Sequence, residues 1–294
     1  TLDSRPHLAT AGGDRTVRIW DAATGEQRHV LGGHTAEVLG LCALILNRRP
    51  HLASTGRDRT IRIWDAATGE QRHVLEGHTA DVYGLCALTL NGRPHLASTG
   101  GDGTVRIWDA ATGQQRHRLK SHTGEVYGVC ALTLNGRPHL ASTGRDRIVR
   151  IWDAATGQQR HVLEGHTGMV RGVCGLTLDG RPHLASTGRD RTIRIWDAAT
   201  GEQRHLLEGH TADVYGLCAL TLNGRPHLAS TGRDGTVRIW DVIRNACIQT
   251  IPVHHAGFAV VWGGERLTIG LSAGILAINL VAVMHPMPLE SAPA

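Results

Sequence analysis

The chain alternates short apolar runs with polar turns, and the stretch after His78 shows the pattern most clearly. Residues 81–90 form an apolar run that ends at Asn91-Gly92, the strongest short hairpin signal. Residues 95–99, 104–109 and 114–119 form three further runs, and the third of the four has the β-branched and aromatic residues of a strand. Because short hairpin connections join antiparallel strands, the pattern predicts a four-stranded antiparallel meander.

This unit recurs along the whole chain with a period of 44 residues. The period is marked by tryptophans, which are Trp20, Trp64, Trp108, Trp152, Trp196 and Trp240. A unit of this size cannot bury a core alone and must stack on its neighbours. We therefore expect one domain over residues 1–294, with repeat units at approximately 1–33, 34–77, 78–121, 122–165, 166–209, 210–253 and 254–287.

Side-chain size predicts how the sheets are arranged. The first strand of the unit carries Gly84, Cys86 and Ala87, whereas the third carries Ile107 and Trp108. Sheets that fan around an axis converge inside and diverge outside, so small residues belong at the centre. We predict a β-propeller in which the first strand lines the channel and 114–119 lies on the outer rim.

The succession of Gly-His, an Asp-bearing turn and Trp-Asp resembles the WD-repeat propeller family, over nearly the whole chain. The near-identity of the repeats is similar to that of bacterial WD-repeat proteins. The resemblance implies seven blades, and a seventh unit is visible after His254. In it, Ala273 replaces the turn Asp, Asn279 the Trp and Trp262 the inner-strand Cys, and the first loop is about five residues shorter. We expect a degenerate terminal blade.

The two ends of the chain predict how the ring closes. Residues 1–7 align with 89–95, so the first blade should lack its inner strand, and no clear outer strand follows Leu280. The predicted fold is therefore an all-β, seven-bladed propeller of four-stranded antiparallel blades, the first missing its inner strand. One upstream segment would fill both gaps, which favours the C-terminal part of a larger multidomain protein. The alternative is a closing strand at 281–287.

Four residues of each unit suggest a Ser-His-Asp catalytic site, but the resemblance implies a structural tetrad. It places His78 against Asp102 and Ser98, and Ser98 against the Trp108 indole. The matching sets are His34, Ser54, Asp58, Trp64; His122, Ser142, Asp146, Trp152; His166, Ser186, Asp190, Trp196; and His210, Ser230, Asp234, Trp240. The first blade offers Thr10, Asp14 and Trp20. Because an enzyme would not build one site so many times, we predict a structural network and no enzyme.

Composition narrows the possible partners and the compartment. The formal charge of +5 comes from arginines that recur once per repeat, an even distribution that argues against nucleic-acid binding. No apolar run reaches transmembrane length, which predicts no membrane partner. Cysteines without CxxC spacing suit a reducing compartment, so we expect a cytoplasmic protein. The remaining histidines read as ordinary half-exposed residues, and no metal or cofactor site is predicted.

The candidate binding residues are those at which the copies differ. Ahead of the turn Asp stand Gly13, Arg57, Gly101, Arg145, Arg189 and Arg233; at the start of the inner strands stand Glu37, Leu39, Asp81, Tyr83, Glu125, Tyr127, Met169, Arg171, Asp213 and Tyr215. The resemblance implies that both groups open onto one rim of the channel, where partners dock.

The predicted function is a non-enzymatic scaffold or sensor module that binds a protein or peptide on the channel-mouth face, as a monomeric ring. By analogy with bacterial WD-repeat proteins, an effector domain such as a kinase, protease or NTPase would precede it. One alternative is a multivalent small-molecule or carbohydrate-binding propeller with about one ligand per blade. The other is that these residues are merely solvated loop ends.

Overall fold

The computed structural model describes residues 6–263, 266–272 and 274–279, which form seven antiparallel sheets. In chain order the strands are β1 (His7–Ala11), β2 (Thr16–Asp21) and β3 (Gln27–Gly32) in blade 1; β4 (Val38–Leu46), β5 (Arg49–Gly56), β6 (Ile61–Asp65) and β7 (Gln71–Leu75) in blade 2; β8 (Val82–Leu90), β9 (Arg93–Gly100), β10 (Thr104–Asp109) and β11 (Gln115–Lys120) in blade 3; β12 (Val126–Leu134), β13 (Arg137–Gly144), β14 (Val149–Asp153) and β15 (Gln159–Leu163) in blade 4; β16 (Val170–Leu178), β17 (Arg181–Gly188), β18 (Ile193–Asp197) and β19 (Gln203–Leu207) in blade 5; β20 (Val214–Leu222), β21 (Arg225–Gly232), β22 (Thr236–Asp241) and β23 (Ala246–Pro252) in blade 6; and β24 (Gly257–Trp262), β25 (Arg266–Leu271) and β26 (Gly274–Asn279) in blade 7.

Each blade is a meander in which strands consecutive in sequence are neighbours in the sheet. Leu90 pairs with Arg93 across a two-residue turn, and Asn91 and Gly92 have φ values of 50° and 72°. Both central residues thus lie in the left-handed region that a tight hairpin turn requires. The predicted hairpin is confirmed.

The inner strands of successive blades lie side by side, so the sheets fan around a common channel. A Cβ added to Gly84 would lie 2.4 Å from the Tyr127 carbonyl oxygen of the next blade. Glycine therefore allows the backbones of neighbouring blades to approach this closely. At the other junction, Arg266 Nη1 donates a hydrogen bond of 3.2 Å to the Ala22 carbonyl, which joins blade 7 to blade 1. The seven-bladed propeller is confirmed.

The hydrophobic core lies between blades rather than within one. Trp108 of blade 3 is 1% exposed and packs in a cluster with Ile61 and Ile63 of blade 2. Equivalent clusters recur at the following junctions, as at Trp152 and Trp196. A single blade has no partner for this apolar surface, so neighbouring blades bury it by packing on one another.

Blade 7 is degenerate as expected, but two of its predicted correspondences are wrong. Val261, not Trp262, occupies the place of the inner-strand cysteine, because Val261 pairs with Thr268 as Cys218 pairs with Ala229. Loop shortening upstream of β24 caused this shift of one residue.

The position equivalent to the repeat tryptophan is also shifted by one residue. Ile278, not Asn279, pairs with Leu267 as Trp240 pairs with Leu228, because the preceding turn is one residue shorter than its counterpart in blade 6. Apolar Ile269 stands at the serine position of the tetrad.

Blade 1 has three strands among the described residues. As expected, none of the three is an inner strand. The predicted correspondence at Ala273 and the alternative closing strand at 281–287 lie outside the described residues. Within the described ranges, no helix is long and apolar enough to cross a membrane.

Candidate functional site

The four repeated side chains form one hydrogen-bonded chain in blade 3. Trp108 Nε1 lies 2.9 Å from Ser98 Oγ, and Ser98 Oγ lies 2.8 Å from His78 Nε2. His78 Nδ1 lies 3.1 Å from both carboxylate oxygens of Asp102. The strands β9 and β10 position the serine and tryptophan, while the loop before β8 and the turn after β9 supply the histidine and aspartate.

The same chain recurs in blades 2, 4, 5 and 6. Trp–Ser distances there are 2.8 Å, His–Ser distances are 2.7–2.8 Å, and His–Asp distances are 2.8–2.9 Å. In blade 1, Trp20 Nε1 donates to Thr10 Oγ1 at 2.9 Å, and Asp14 instead bonds Thr16 and Arg18.

The charge of the aspartate determines which group donates and which accepts in each hydrogen bond of the tetrad. Although burial opposes its ionisation, hydrogen bonding from His166 lowers the pKa of Asp190 to about 2. An ionised carboxylate only accepts, so His166 Nδ1 donates to Asp190, and Nε2 is left to accept from the Ser186 hydroxyl. That hydroxyl oxygen in turn accepts from the Trp196 indole.

This geometry resembles a catalytic triad in its Asp–His–Ser order but differs in access. Ser98 and Ser142 are 0% exposed, and each oxygen already accepts from an indole. A nucleophile must reach its substrate atom. As built, these hydroxyls face neighbouring side chains rather than solvent.

The other repeated histidines correct one expectation. Those on the second strand, expected to be half-exposed, are buried: His51, His95, His139, His183 and His227. In each, Nδ1 donates to the arginine carbonyl two residues earlier, at 2.9–3.0 Å. On the outer strands, His73 Nε2 donates to Ala111 O of the next blade at 3.1 Å.

The channel cysteines are free thiols packed against the interblade clusters. Burial raises the pKa of Cys42, Cys130 and Cys218 to about 12, so these thiols stay protonated at neutral pH. Among the described residues, no group of three or more His, Cys, Asp or Glu side chains is placed to hold a metal ion.

The two groups of candidate binding residues meet at one end of the ring. All inner strands run in the same direction, so their first residues surround one opening of the channel, which we term the channel mouth. There the Arg57 amide donates to the Glu37 carbonyl at 2.9 Å, and the Arg145 amide donates to the Glu125 carbonyl at 2.8 Å. The same main-chain bond recurs at Gly101, Arg189 and Arg233.

A β-bulge at the start of each inner strand orients one side chain. The register shifts between Val82 and Gly84, so Tyr83 has no ladder partner. Tyr127, Arg171 and Tyr215 occupy the same bulge in blades 4 to 6. A bulge locally bends the strand and redirects a side chain. The repeated Val-x-Gly sequence was the available signal, and the prediction of plain strands missed it.

The bulge side chains contact one another around the mouth. The rings of Tyr83 and Tyr127 lie 5.3 Å apart, and those of Tyr215 and Phe258 lie 5.4 Å apart. Arg171 lies between these pairs, with Cζ 4.1 Å from the Tyr127 ring centre and 5.9 Å from that of Tyr215. We call these five residues the mouth arc. Phe258, 53% exposed, was not predicted because blade 7 departs from the period.

Glu125 ties the arc to the neighbouring loops. Its carboxylate accepts from the hydroxyls of Tyr127 at 2.6 Å and Tyr83 at 3.2 Å, and from Arg145 Nη1 at 3.4 Å. These donors, Tyr127 first, hold the pKa of Glu125 below its usual value. Burial, together with the bond to Glu125, raises the pKa of Tyr127 to about 12.

Arg57 and Arg189 form largely exposed ion pairs at the mouth. Arg57 Nε lies 3.1 Å from Glu37 and 3.8 Å from Asp81 of the next blade. Arg189 Nε lies 3.1 Å from Asp213 of the next blade. Exposed pairs of this kind contribute at most about 1 kcal/mol each, so their charges can exchange partners at low cost.

Comparison with known proteins identifies the family. The family model "WD domain, G-beta repeat" matches residues 2–21, 25–65, 69–109, 113–153, 157–197 and 201–241, which is most of the chain. The chain belongs to the WD40-repeat family. The six matched WD40 segments end at residue 241, and the seventh WD40 blade is the one whose turns are shortened.

Two curated proteins contain a stretch similar to this WD40 chain. Over 35 residues it is 49% identical to Protein TOPLESS of Arabidopsis thaliana and 46% identical to Topless-related protein 1 of the same organism. Each match covers 12% of this chain and 3% of the relative. The chain therefore spans a small part of the curated relatives it matches.

Proposed function

We propose that this WD40 ring is a non-enzymatic recognition module that binds a protein or peptide at the channel mouth. The mouth arc is the observation that carries the proposal. Four aromatic side chains and one guanidinium lie in contact across consecutive blades, at the positions where the repeats differ. Tyrosine and arginine are the residue types enriched at interface hot spots.

The arc is also held in place before any partner arrives. Tyr127 is 9% exposed, its hydroxyl bonds Glu125, and its carbonyl accepts from Thr99 of the preceding blade at 2.9 Å. Ordering a loose side chain costs about 0.5–1.5 kcal/mol on binding. A preorganised arc avoids part of that cost, which supports a docking role over one as solvated loop ends.

Peptide selection tests the proposal. Peptides selected on the wild-type ring from a displayed random library would be measured against a mouth variant carrying Tyr83→Ala, Tyr127→Ala, Arg145→Ala and Arg189→Ala. We expect the affinity to fall at least tenfold, with melting still cooperative.

The control variant carries the same number of changes at the opposite end of the ring, at the hairpins after the inner strands: Arg49→Ala, Arg93→Ala, Arg137→Ala and Arg181→Ala. We expect it to bind the selected peptides like the wild type. Peptides whose affinity falls only in this control would place the binding site at the wrong end and overturn the proposal.

A second candidate function rests on two equivalent cavities at that opposite end. One, of about 480 Å³, is lined by Asn91, Arg93, His95, Arg116 and His117; the other, of about 440 Å³, by Asn47, Arg49, His51, Arg72 and His73. Seven lining residues of each cavity correspond at a spacing of 44 positions, as multivalent binding of a small ligand requires, and Asp65 lines only the second cavity.

The linings favour a polar ligand over a stacked sugar. Guanidinium and imidazole groups surround each cavity, and its lining residues include no Trp, Tyr or Phe. A small molecule bound here would saturate at several copies per ring and lose affinity in the opposite-end variant. The mouth variant would leave it unchanged.

A further inference from the structure

We infer that Arg171 is the anchor for a carboxylate in an acidic segment of the partner. This inference rests on the proposed function and adds the chemistry of what docks at the mouth. It starts from two differences that fall in the same blade.

Blade 5 differs in sequence from blades 3, 4 and 6 at two positions around its bulge. Where Asp81, Glu125 and Asp213 supply an acid in blades 3, 4 and 6, blade 5 has Met169. Two residues later, where blades 3, 4 and 6 have tyrosine, it has Arg171. One change removes a negative charge and the other adds a positive one, so blade 5 carries a local charge two units more positive than its neighbours.

The acids near Arg171 are already engaged. Glu125 accepts from two tyrosine hydroxyls and Arg145, and Asp213 pairs with Arg189. Met169 contributes only its sulfur, 3.7 Å from the Tyr127 hydroxyl. Across residues 6–263, 266–272 and 274–279, the Arg171 guanidinium has no hydrogen bond or ion pair, and its Nε is buried without a partner.

That isolation distinguishes Arg171 from other arginines with a buried, unpartnered Nε. Arg62 and Arg194 each donate through Nη1 to a glutamine, Gln71 and Gln203. In Arg171 the whole set of donors is unsatisfied within the described part of the chain. A carboxylate that accepts from the two terminal nitrogens would give the guanidinium the partner that it lacks.

The flanking rings leave the donors available. Cζ of Arg171 lies over the Tyr127 ring, 4.1 Å from its centre, and 5.9 Å from the centre of the Tyr215 ring in the next blade. Stacking occupies the faces of the planar group, whereas its N–H bonds point outward in the plane. A carboxylate matches that fork with two parallel hydrogen bonds, which are stronger in a half-buried site than in water. The aromatic pairs Tyr83–Tyr127 and Tyr215–Phe258 would contact the peptide on either side of the anchor.

A double-mutant cycle tests the inference with peptides selected on the wild-type ring. Each acidic residue of a peptide is replaced by its amide, and binding is measured to the wild type and to Arg171→Tyr. Arg171→Tyr restores the residue of blades 3, 4 and 6, so we expect a fold as stable as the wild type. One acid-to-amide change should weaken wild-type binding roughly tenfold or more and leave binding to Arg171→Tyr unchanged.

Met169→Asp gives a second variant that keeps Arg171 and supplies the missing acid. It should weaken acidic peptides as Arg171→Tyr does, because the carboxylate competes for the same donors. Arg181→Ala, in the same blade but at the opposite end, removes one charge and should change nothing.

The outcomes separate the two proposals. The anchor is overturned if the peptides that require the mouth contain no acidic residue. It is also overturned if an acid-to-amide change weakens binding to the wild type and to Arg171→Tyr equally. Either result leaves the proposed function standing. A library that yields no peptide sensitive to the mouth variant overturns both.

Discussion

The Thr99 hydroxyl donates a 2.9 Å hydrogen bond to the Tyr127 carbonyl of the next blade and accepts one of 2.9 Å from the Gly84 amide. Equivalent bonds run from Thr55 to Tyr83 and from Thr143 to Arg171. One hydroxyl thus ties the bulge of its own blade to the bulge of the next. The side chains of the mouth arc are therefore positioned by contacts between blades.

This close approach predicts a large cost for Gly84→Ala. The new methyl would lie 2.4 Å from the Tyr127 carbonyl and 2.6 Å from Thr99 Oγ1, so the backbones of blades 3 and 4 must separate. Overpacking of this kind costs about 1–3 kcal/mol. We expect a lower midpoint in urea-induced unfolding.

Gly175→Ala is the matched change with the opposite expectation. Alanine occupies this position in blades 2, 3, 4 and 6, and the nearest atom to the added Cβ is the Ala131 carbonyl at 3.8 Å. Reduced freedom of the unfolded chain should stabilise the ring by about 0.4–1 kcal/mol. Equal effects of the two substitutions would contradict the account of the inner strands.

The tetrad predicts that Trp108→Ala is strongly destabilising. The change opens a cavity between blades 2 and 3 and removes the donor to Ser98. Such a substitution costs about 3–5 kcal/mol. Thermal melting would measure it against Val162→Ala, whose side chain is 42% exposed and should tolerate the change. An unchanged melting temperature for Trp108→Ala would refute the structural role of the tetrad.

The tetrads also predict loss of stability on mild acidification. Burial lowers the pKa of His34, His122 and His210, even though Asp58, Asp146 and Asp234 oppose that shift. The unfolded chain, with histidine pKa values near 6.5, then binds protons that the folded chain does not. The free energy of unfolding should therefore fall as the pH drops below about 6.5.

A second loss follows at lower pH from the aspartates. The pKa values of Asp146 and Asp190 are about 2 in the folded ring, against the usual value of 3.8. Their contribution is present above about pH 4 and is lost as the pH falls through about 2. Urea midpoints at pH 7.5, 5.5 and 3.5 and constant ionic strength check the sign. A urea midpoint that is higher at pH 5.5 than at pH 7.5 would contradict the lowered histidine pKa values.

The channel thiols should resist alkylation while the ring is folded. With pKa values near 12, Cys42, Cys130 and Cys218 hold almost no thiolate at pH 8. We expect iodoacetamide to modify them much more slowly in buffer than in denaturant, as followed by mass spectrometry. Equal rates in the two conditions would show that the channel wall is open.

The period, the four strands and the order of blades could be predicted from the sequence because each depends on local patterns. The Asn91-Gly92 hairpin and the size gradient from Gly84 to Trp108 are signals within one unit. Blade 7 shows where prediction from the 44-residue period fails. Adding 44 residues to Cys218 gives Trp262, but changed loop lengths place Val261 there instead.

The contacts between blades could not be predicted from the sequence, for a different reason. The stacking of Arg171 on Tyr127 and the pairing of Arg189 with Asp213 join residues on separate blades. Their distances depend on the rotation between sheets and on the bulge, neither of which the repeat pattern specifies. The sequence identified which positions vary, and the structure showed which of them touch.

Isothermal titration of a selected peptide into the wild-type ring, the mouth variant and the opposite-end variant tests the central proposal most directly. Docking at the mouth predicts one peptide per ring, with heat of binding lost in the mouth variant and retained in the opposite-end variant. Several peptides per ring, or full binding to the mouth variant, would contradict it.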